Sequence, residues 1–141
     1  MPLMRVDMYS VSQGYGFCES SEKGRVFFRV EDFTPLDPGG PLPIVGEEVD
    51  IVEVLEGSPS LRATGVRRVK RPVLVQGRVR SFDAAKGWGF VEVGSQQYFL
   101  HRSDLREVFL PTVGTVIAFY PGMKKEKPRA CHAHRPGKVS T

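Results

Sequence analysis

The chain reads twice. Gly14-Tyr15-Gly16-Phe17-Cys18-Glu19 returns as Gly87-Trp88-Gly89-Phe90-Val91-Glu92, and Val26-Phe27-Phe28-Arg29 returns as Tyr98-Phe99-Leu100-His101. Leu42-Pro43-Ile44-Val45-Gly46 is matched by Leu110-Pro111-Thr112-Val113-Gly114, and Arg62-Ala63 by Arg129-Ala130. Four matches in one order, at nearly constant offset, divide the 141 residues into two similar units. The expected boundary lies at Lys70-Arg71-Pro72, giving units 1–70 and 71–141. Pro72 keeps its predecessor out of helical geometry, so the joint reads as a short extended link.

Each unit must close a core with few residues. The 15 glycines and 11 prolines interrupt every long helical pattern, and no stretch of helix length carries a 3.6-residue apolar period. Each unit reads as about five short strands. In the second they are expected over 74–82, 87–93, 97–101, 115–120 and 129–134. Asp83-Ala84-Ala85-Lys86 forms a turn, and Ser103-Asp104-Leu105 a short helical turn capped by Ser103. A closed barrel removes sheet edges and encloses one core, so the expected fold is all-β: two small five-stranded antiparallel barrels in tandem.

No run approaches ~18 apolar residues, so no membrane helix is expected. The start, Met1-Pro2-Leu3-Met4-Arg5-Val6-Asp7, has no apolar core of a signal peptide. The expectation is a cytoplasmic protein with no membrane partner. Cys18 and Cys131 read as reduced, packed thiols. The net charge of +4 is polarised: residues 1–71 hold nine bases and eleven acids, whereas residues 72–141 hold eleven bases and five acids. The second unit is the one suited to an anion.

Strand side chains alternate between faces. Lys86, Trp88 and Phe90 therefore share one face of the second strand of that unit, and Phe99 and His101 one face of the third. Burying Val91, Tyr98 and Leu100 leaves Trp88, Phe90, Phe99 and His101 outward beside Lys86. Such a platform suits single-stranded nucleic acid, because bases stack on rings while cations track phosphates. A dinucleotide site does not fit, since no helix follows the glycines.

Lys86-Gly87-Trp88-Gly89-Phe90-Val91 resembles the first ribonucleoprotein motif of the cold-shock domain, and Tyr98-Phe99-Leu100-His101 its second. Phe82-Asp83-Ala84-Ala85-Lys86 resembles the turn before the first motif, and Pro128-Arg129-Ala130 the closing strand. The likeness covers residues 73–135, and 14–67 is similar, so the whole chain resembles a tandem cold-shock protein of bacterial type. That resemblance implies OB-type barrels binding single-stranded RNA or DNA with little sequence preference, and an RNA-chaperone or regulatory role without ATP. The implied site is Lys86, Trp88, Phe90, Phe99, His101 and Phe82; by their charge, Arg80, Arg102, Lys124, Lys125 and Lys127 are expected, with Lys86, to neutralise phosphates.

The chain also departs from that pattern. Ser81 stands where the family has tryptophan, and Arg102 where it has phenylalanine. In the first unit Met8, Gln13, Arg29 and Val30 replace the family's tryptophan, lysine, histidine and phenylalanine. Tyr9, Tyr15, Phe17, Phe27 and Arg29 then form a weaker second site, in a unit suited also to a protein partner or self-association. Cys131, His132 and His134 do not converge on one strand face, so no metal or other cofactor is expected. No nucleophile, base and oxyanion grouping marks an enzyme. Residues 135–141 read as a mobile tail. The alternative reading is a protein-interaction module on the same scaffold, with nucleic-acid binding largely lost.

Overall fold

A computed structural model describes residues 3–20, 22, 24–37, 40–55, 61–106 and 109–136. Residues 137–141 of the expected tail, and Pro38 and Gly39 of the long first-unit loop, lie outside the described residues. The chain packs as two compact units, Met1–Pro72 and Val73–Thr141. Arg71 goes with the first, where it pairs with Asp37 at 2.8 Å. Among the described residues, no helix is long and apolar enough to cross a membrane.

Unit 1 contains β1 (Leu3–Ser10), β2 (Tyr15–Ser20), β3 (Gly24–Arg29), the two-residue β4 (Phe33–Thr34), β5 (Glu48–Leu55) and β6 (Leu61–Arg68). Strands β3, β2, β1, β5 and β6 neighbour one another in that order, and β6 returns to β3. Unit 2 contains β7 (Val75–Asp83), β8 (Trp88–Val93), β9 (Gln96–His101), β10 (Val116–Lys124) and β11 (Lys127–His134), closed in the order β10-β11-β9-β8-β7. Each unit is a closed five-stranded barrel of OB type. One seam departs from the all-antiparallel expectation. The third and last strands run parallel, with Val26 beside Leu61 in unit 1 and Phe99 beside Arg129 in unit 2. A 3-10 turn follows the third strand in each unit, Val30–Asp32 and Arg102–Asp104, and leads the chain off across the barrel end.

The pleat sends one residue of each pair inward. Met4, Val6, Cys18, Val26, Phe28, Val49, Ile51, Ala63 and Val66 fill the first barrel. Val79, Val91, Leu100, Ile117, Phe119, Ala130 and Ala133 fill the second. A bulge interrupts the first strand of each barrel at the same place. Val6 faces Cys18 but Met8 faces Phe17, so Asp7 is extra; Val79 faces Val91 but Ser81 faces Phe90, so Arg80 is extra. The inserted residue reverses the phase of everything after it.

The last hairpin is longer than expected. β10 runs through Pro121 and Gly122 to Lys124, and β11 begins at Lys127, leaving Lys125 and Glu126 as a two-residue turn. Pro121 is tolerated because β10 pairs with β7 only as far as Phe119, so no ladder bond is lost on that side. Lys125 and Glu126 adopt φ of 50° and 65°, the left-handed pair of a type I′ turn that favours Asn-Gly. Glu126→Gly is therefore expected to stabilise unit 2 by about 1 kcal/mol. A thermal melt reads the gain, and an unchanged or lower midpoint contradicts it.

The strand-end histidines follow no simple alternation. His132 has φ 50°, in a slip of register between Ala118–His134 and Tyr120–Cys131. Cys131, His132 and Ala133 are in consequence all buried. The Arg106 Nε–H donates to His132 Nδ1 at 2.9 Å, tying the loop after β9 to β11. The expected cap of the 3-10 turn is also corrected. His101 caps it, accepting the Ser103 N–H at Nδ1, while the Asp104 carboxylate accepts the His101 N–H.

Candidate nucleic-acid interface

The platform is built by the β8–β9 ladder. Trp88 lies opposite His101 and Phe90 opposite Phe99. Gly89 and Val91 point inward between them, and both are buried. A Cβ on Gly89 would run into the Ser81 carbonyl oxygen and within 2.6 Å of Phe82 Cα, so the close approach of β7 at the bulge requires glycine there.

Four rings meet on the outer face. Trp88 is 5.9 Å from Phe99 and 6.1 Å from Phe90, Phe90 is 5.9 Å from Phe99, and His101 stacks on Phe99 at 6.4 Å. Lys86 Nζ lies 5.9 Å from the Trp88 ring. Trp88 remains 37% exposed, enough to offer its face to a base.

The rest of the expected set divides. Arg102 joins the platform: its guanidinium lies against Gly87, at the end of the turn that leads into Trp88. Phe82 does not. Past the bulge it faces Gly89 and packs inward against the core, and Ser81 takes the outward position. Arg80, the bulged residue, is paired with Glu92 at 3.2 Å. Lys124, Lys125 and Lys127 sit at the β10–β11 tip. Because Arg129 is level with Phe99 in the parallel seam, that tip lies off the Gln97 end of β9, away from Lys86.

Arg129 belongs to the platform although the motifs did not mark it. Its guanidinium carbon is 5.6 Å from the Phe99 ring, and its Nε donates to Asp104 at 3.0 Å. Burial holds the Asp104 carboxyl above its usual range, against Arg129, the His101 N–H and Arg106, which all pull it down. The same pair recurs in unit 1 as Arg62–Asp32 at 3.1 Å, with Arg62 level with Phe27. The Arg62-Ala63 and Arg129-Ala130 match is the sequence signal for this pair; the parallel register that places it beside a ring is tertiary.

Unit 1 carries a smaller ring group on the same strands. Tyr15, Phe17 and Phe27 lie 5.3–6.3 Å apart. Arg29 is in register with Tyr15. Tyr9 leaves the group for the reason Phe82 does: after the bulge it faces Gly16, stacks on Phe28 at 6.1 Å and packs on the core. Arg25, not singled out in the sequence, lies 4.2 Å over the Phe17 ring and pairs with Asp7 at 3.3 Å. Four unit 1 acids are occupied elsewhere, Glu48 on Arg5, Asp50 on Arg67, Glu47 on Arg68 and Asp37 on Arg71.

Cys18 and Cys131 are free and buried. Burial, aided by the Glu47 charge, pushes the Cys18 thiol up to about 12. Among the described residues, no three His, Cys, Asp or Glu side chains gather as a metal site.

No protein-family model matches the chain, and no curated protein is similar to it. Twenty-one chains of solved structures do match. One, described as drosophila Unr CSD456, is 19% identical with a TM-score of 0.36, over 95% of this chain and 62% of that one. The chain thus spans less than two thirds of that structure's length.

Proposed function

We propose that this chain binds single-stranded RNA or DNA through the outer face of β8 and β9 in unit 2. The observation that carries the reading is the grouping of the exposed Trp88 with the half-buried Phe90, Phe99 and His101 as one ring surface with Lys86 at its edge. An apolar ring surface of this kind suits a flat partner, and unpaired bases supply one. The rings of unit 1 form a second face of the same design, which adds a weaker contact. Binding needs no cofactor and no catalysis. By holding unpaired strands it shifts a hairpin toward its open form, the action of an RNA chaperone or regulator without ATP, in the cytoplasm.

The test is titration of the whole chain with single- and double-stranded oligonucleotides of equal length. Single strands are expected to bind more tightly and to quench Trp88, the one tryptophan in the chain. Equal affinity for both forms, or saturating binding with unchanged emission, removes the ring platform as the site. Failure to bind either form favours the protein-interaction reading.

A further inference from the structure

Lys86 and Arg102 flank one residue, Gly87, at the Trp88 end of the platform. Gly87 has φ +81° and closes the β7–β8 turn, its N–H donating to the Asp83 carbonyl at 2.7 Å. Its own carbonyl accepts the Arg102 N–H at 2.9 Å. The Arg102 side chain lies back over the glycine, so that a Cβ there would stand 2.6 Å from Nε. Lys86 Nζ reaches to 5.9 Å from the Trp88 ring, and Trp88 is opposite His101. His101 Nδ1 accepts the Ser103 N–H at 3.1 Å, so the neutral ring carries its proton on Nε2.

Among the described residues the Lys86 and Arg102 side chains are donors without acceptors of their own. Among the described residues neither the Lys86 nor the Arg102 side chain has an acidic partner, whereas Arg80 is held by Glu92 and Arg129 by Asp104. The acid of the turn, Asp83, has one oxygen engaged by the Ala85 and Lys86 N–H groups, each at 3.0 Å.

Unit 1 shows that the backbone does not need these cations. There Gly14 has φ +73°, its N–H donates to Ser10 at 2.8 Å, and its carbonyl accepts the Val30 N–H at 2.9 Å. The frame is the same, but Gln13 stands for Lys86 and Val30 for Arg102. A fold that forms with Gln and Val gives Lys and Arg no structural task in unit 2.

We infer that Lys86 and Arg102, with the His101 Nε2–H, form a phosphate-holding subsite around Gly87 that anchors a nucleic-acid strand at one end of the ring platform, and that unit 1 lacks it. The inference rests on the single-strand reading above. A lysine and a guanidinium offer only donors, which phosphate oxygens satisfy. The phosphate is either a diester within the strand or a monoester at its end.

Lys86→Gln and Arg102→Val, the residues unit 1 carries, test it in the whole chain with labelled oligo(dT), which presents no guanine edge. Each is expected to weaken binding about five- to tenfold. Each should also flatten the slope of log affinity against log salt by ~0.7, with Trp88 still quenched at saturation. Arg102→Lys should restore the slope. One neutral methylphosphonate linkage, walked along the strand, should weaken wild type at one position and cost Arg102→Val clearly less there if the phosphate is internal. If it is terminal, a 5′ or 3′ phosphate should strengthen wild type more than Arg102→Val. Gln13→Lys with Val30→Arg should steepen the slope by building the subsite in unit 1. Wild type that binds and quenches while both single variants keep its affinity and slope overturns the subsite but not the platform. A loss confined to guanine-containing strands overturns it in favour of base reading. Wild type that binds no single strand overturns the single-strand reading, and the subsite falls with it.

Discussion

Glu47→Ala is expected to lower the stability of unit 1 by about 3–5 kcal/mol. Arg68 is the reason. Its side chain is fully buried, and its guanidinium is held by Glu47 at 2.7 and 2.8 Å and by the carbonyls of Pro41 and Leu42 at 2.9 and 3.0 Å. Phe33 lies 5.0 Å beneath it. Glu47 also accepts the Ile44 N–H at 2.7 Å. One ion pair thus ties the loop before β5 to the last strand of the barrel. Removing the carboxylate leaves a buried cation with two neutral acceptors, which is far costlier than losing an exposed pair. Replacing both partners, as Glu47→Leu with Arg68→Met, should recover much of the loss, because no buried charge is then left unpaired. The readout is local. Cys18 is buried in unit 1 and Cys131 in unit 2, so alkylation followed by mass spectrometry should show Cys18 exposed at lower denaturant in Glu47→Ala. A loss under about 1 kcal/mol would show that water already screens the pair.

Trp88→Ala and Phe99→Ala should each reduce affinity for a single strand by about 1–3 kcal/mol. Both side chains project from the outer face of β8 and β9 while Val91 and Leu100 fill the core, so the loss is one of binding, with folding little changed. The two effects should not add, because the rings are 5.9 Å apart and offer one base a common surface. Tyr15→Ala should cost clearly less. Tyr15 has Phe17 and Phe27 for neighbours, but the turn before it supplies Gln13 where Trp88 has Lys86. Equal losses at Tyr15 and Trp88, measured by fluorescence anisotropy with the same oligonucleotide, would show that the cation beside the ring does not set the asymmetry.

Much of this architecture was legible in the amino-acid order. Alternation along one strand depends only on the pleat, so the outward phase of Trp88 and Phe90, and of Phe99 and His101, followed from spacing alone. Two copies of the same motifs meant two barrels, since neither half has enough apolar residues in any other period to bury. Alternation failed where the backbone slips. A bulge adds one residue to one strand and leaves no mark in the order of residue types, so Phe82 and Tyr9, which the family likeness sets in the two sites, turn inward and pack on the cores. The left-handed turn at His132 misled in the same way, burying Cys131 and His132 together.

The sequence by itself therefore determined what depends on near neighbours: the repeat, the strands, the ring pairs and the charge at Lys86. Only the tertiary structure decided what depends on register between distant segments. The parallel seam sets Arg129 beside Phe99, some thirty residues away in the chain, and separates the hairpin lysines from Lys86. The barrel closure pairs Arg68 with Glu47 and folds Arg102 over Gly87. The physical reason is common to these cases. A pleat or a turn is fixed by forces acting within a few residues, whereas a seam is chosen by the closure of the whole barrel, when every strand has found its partner.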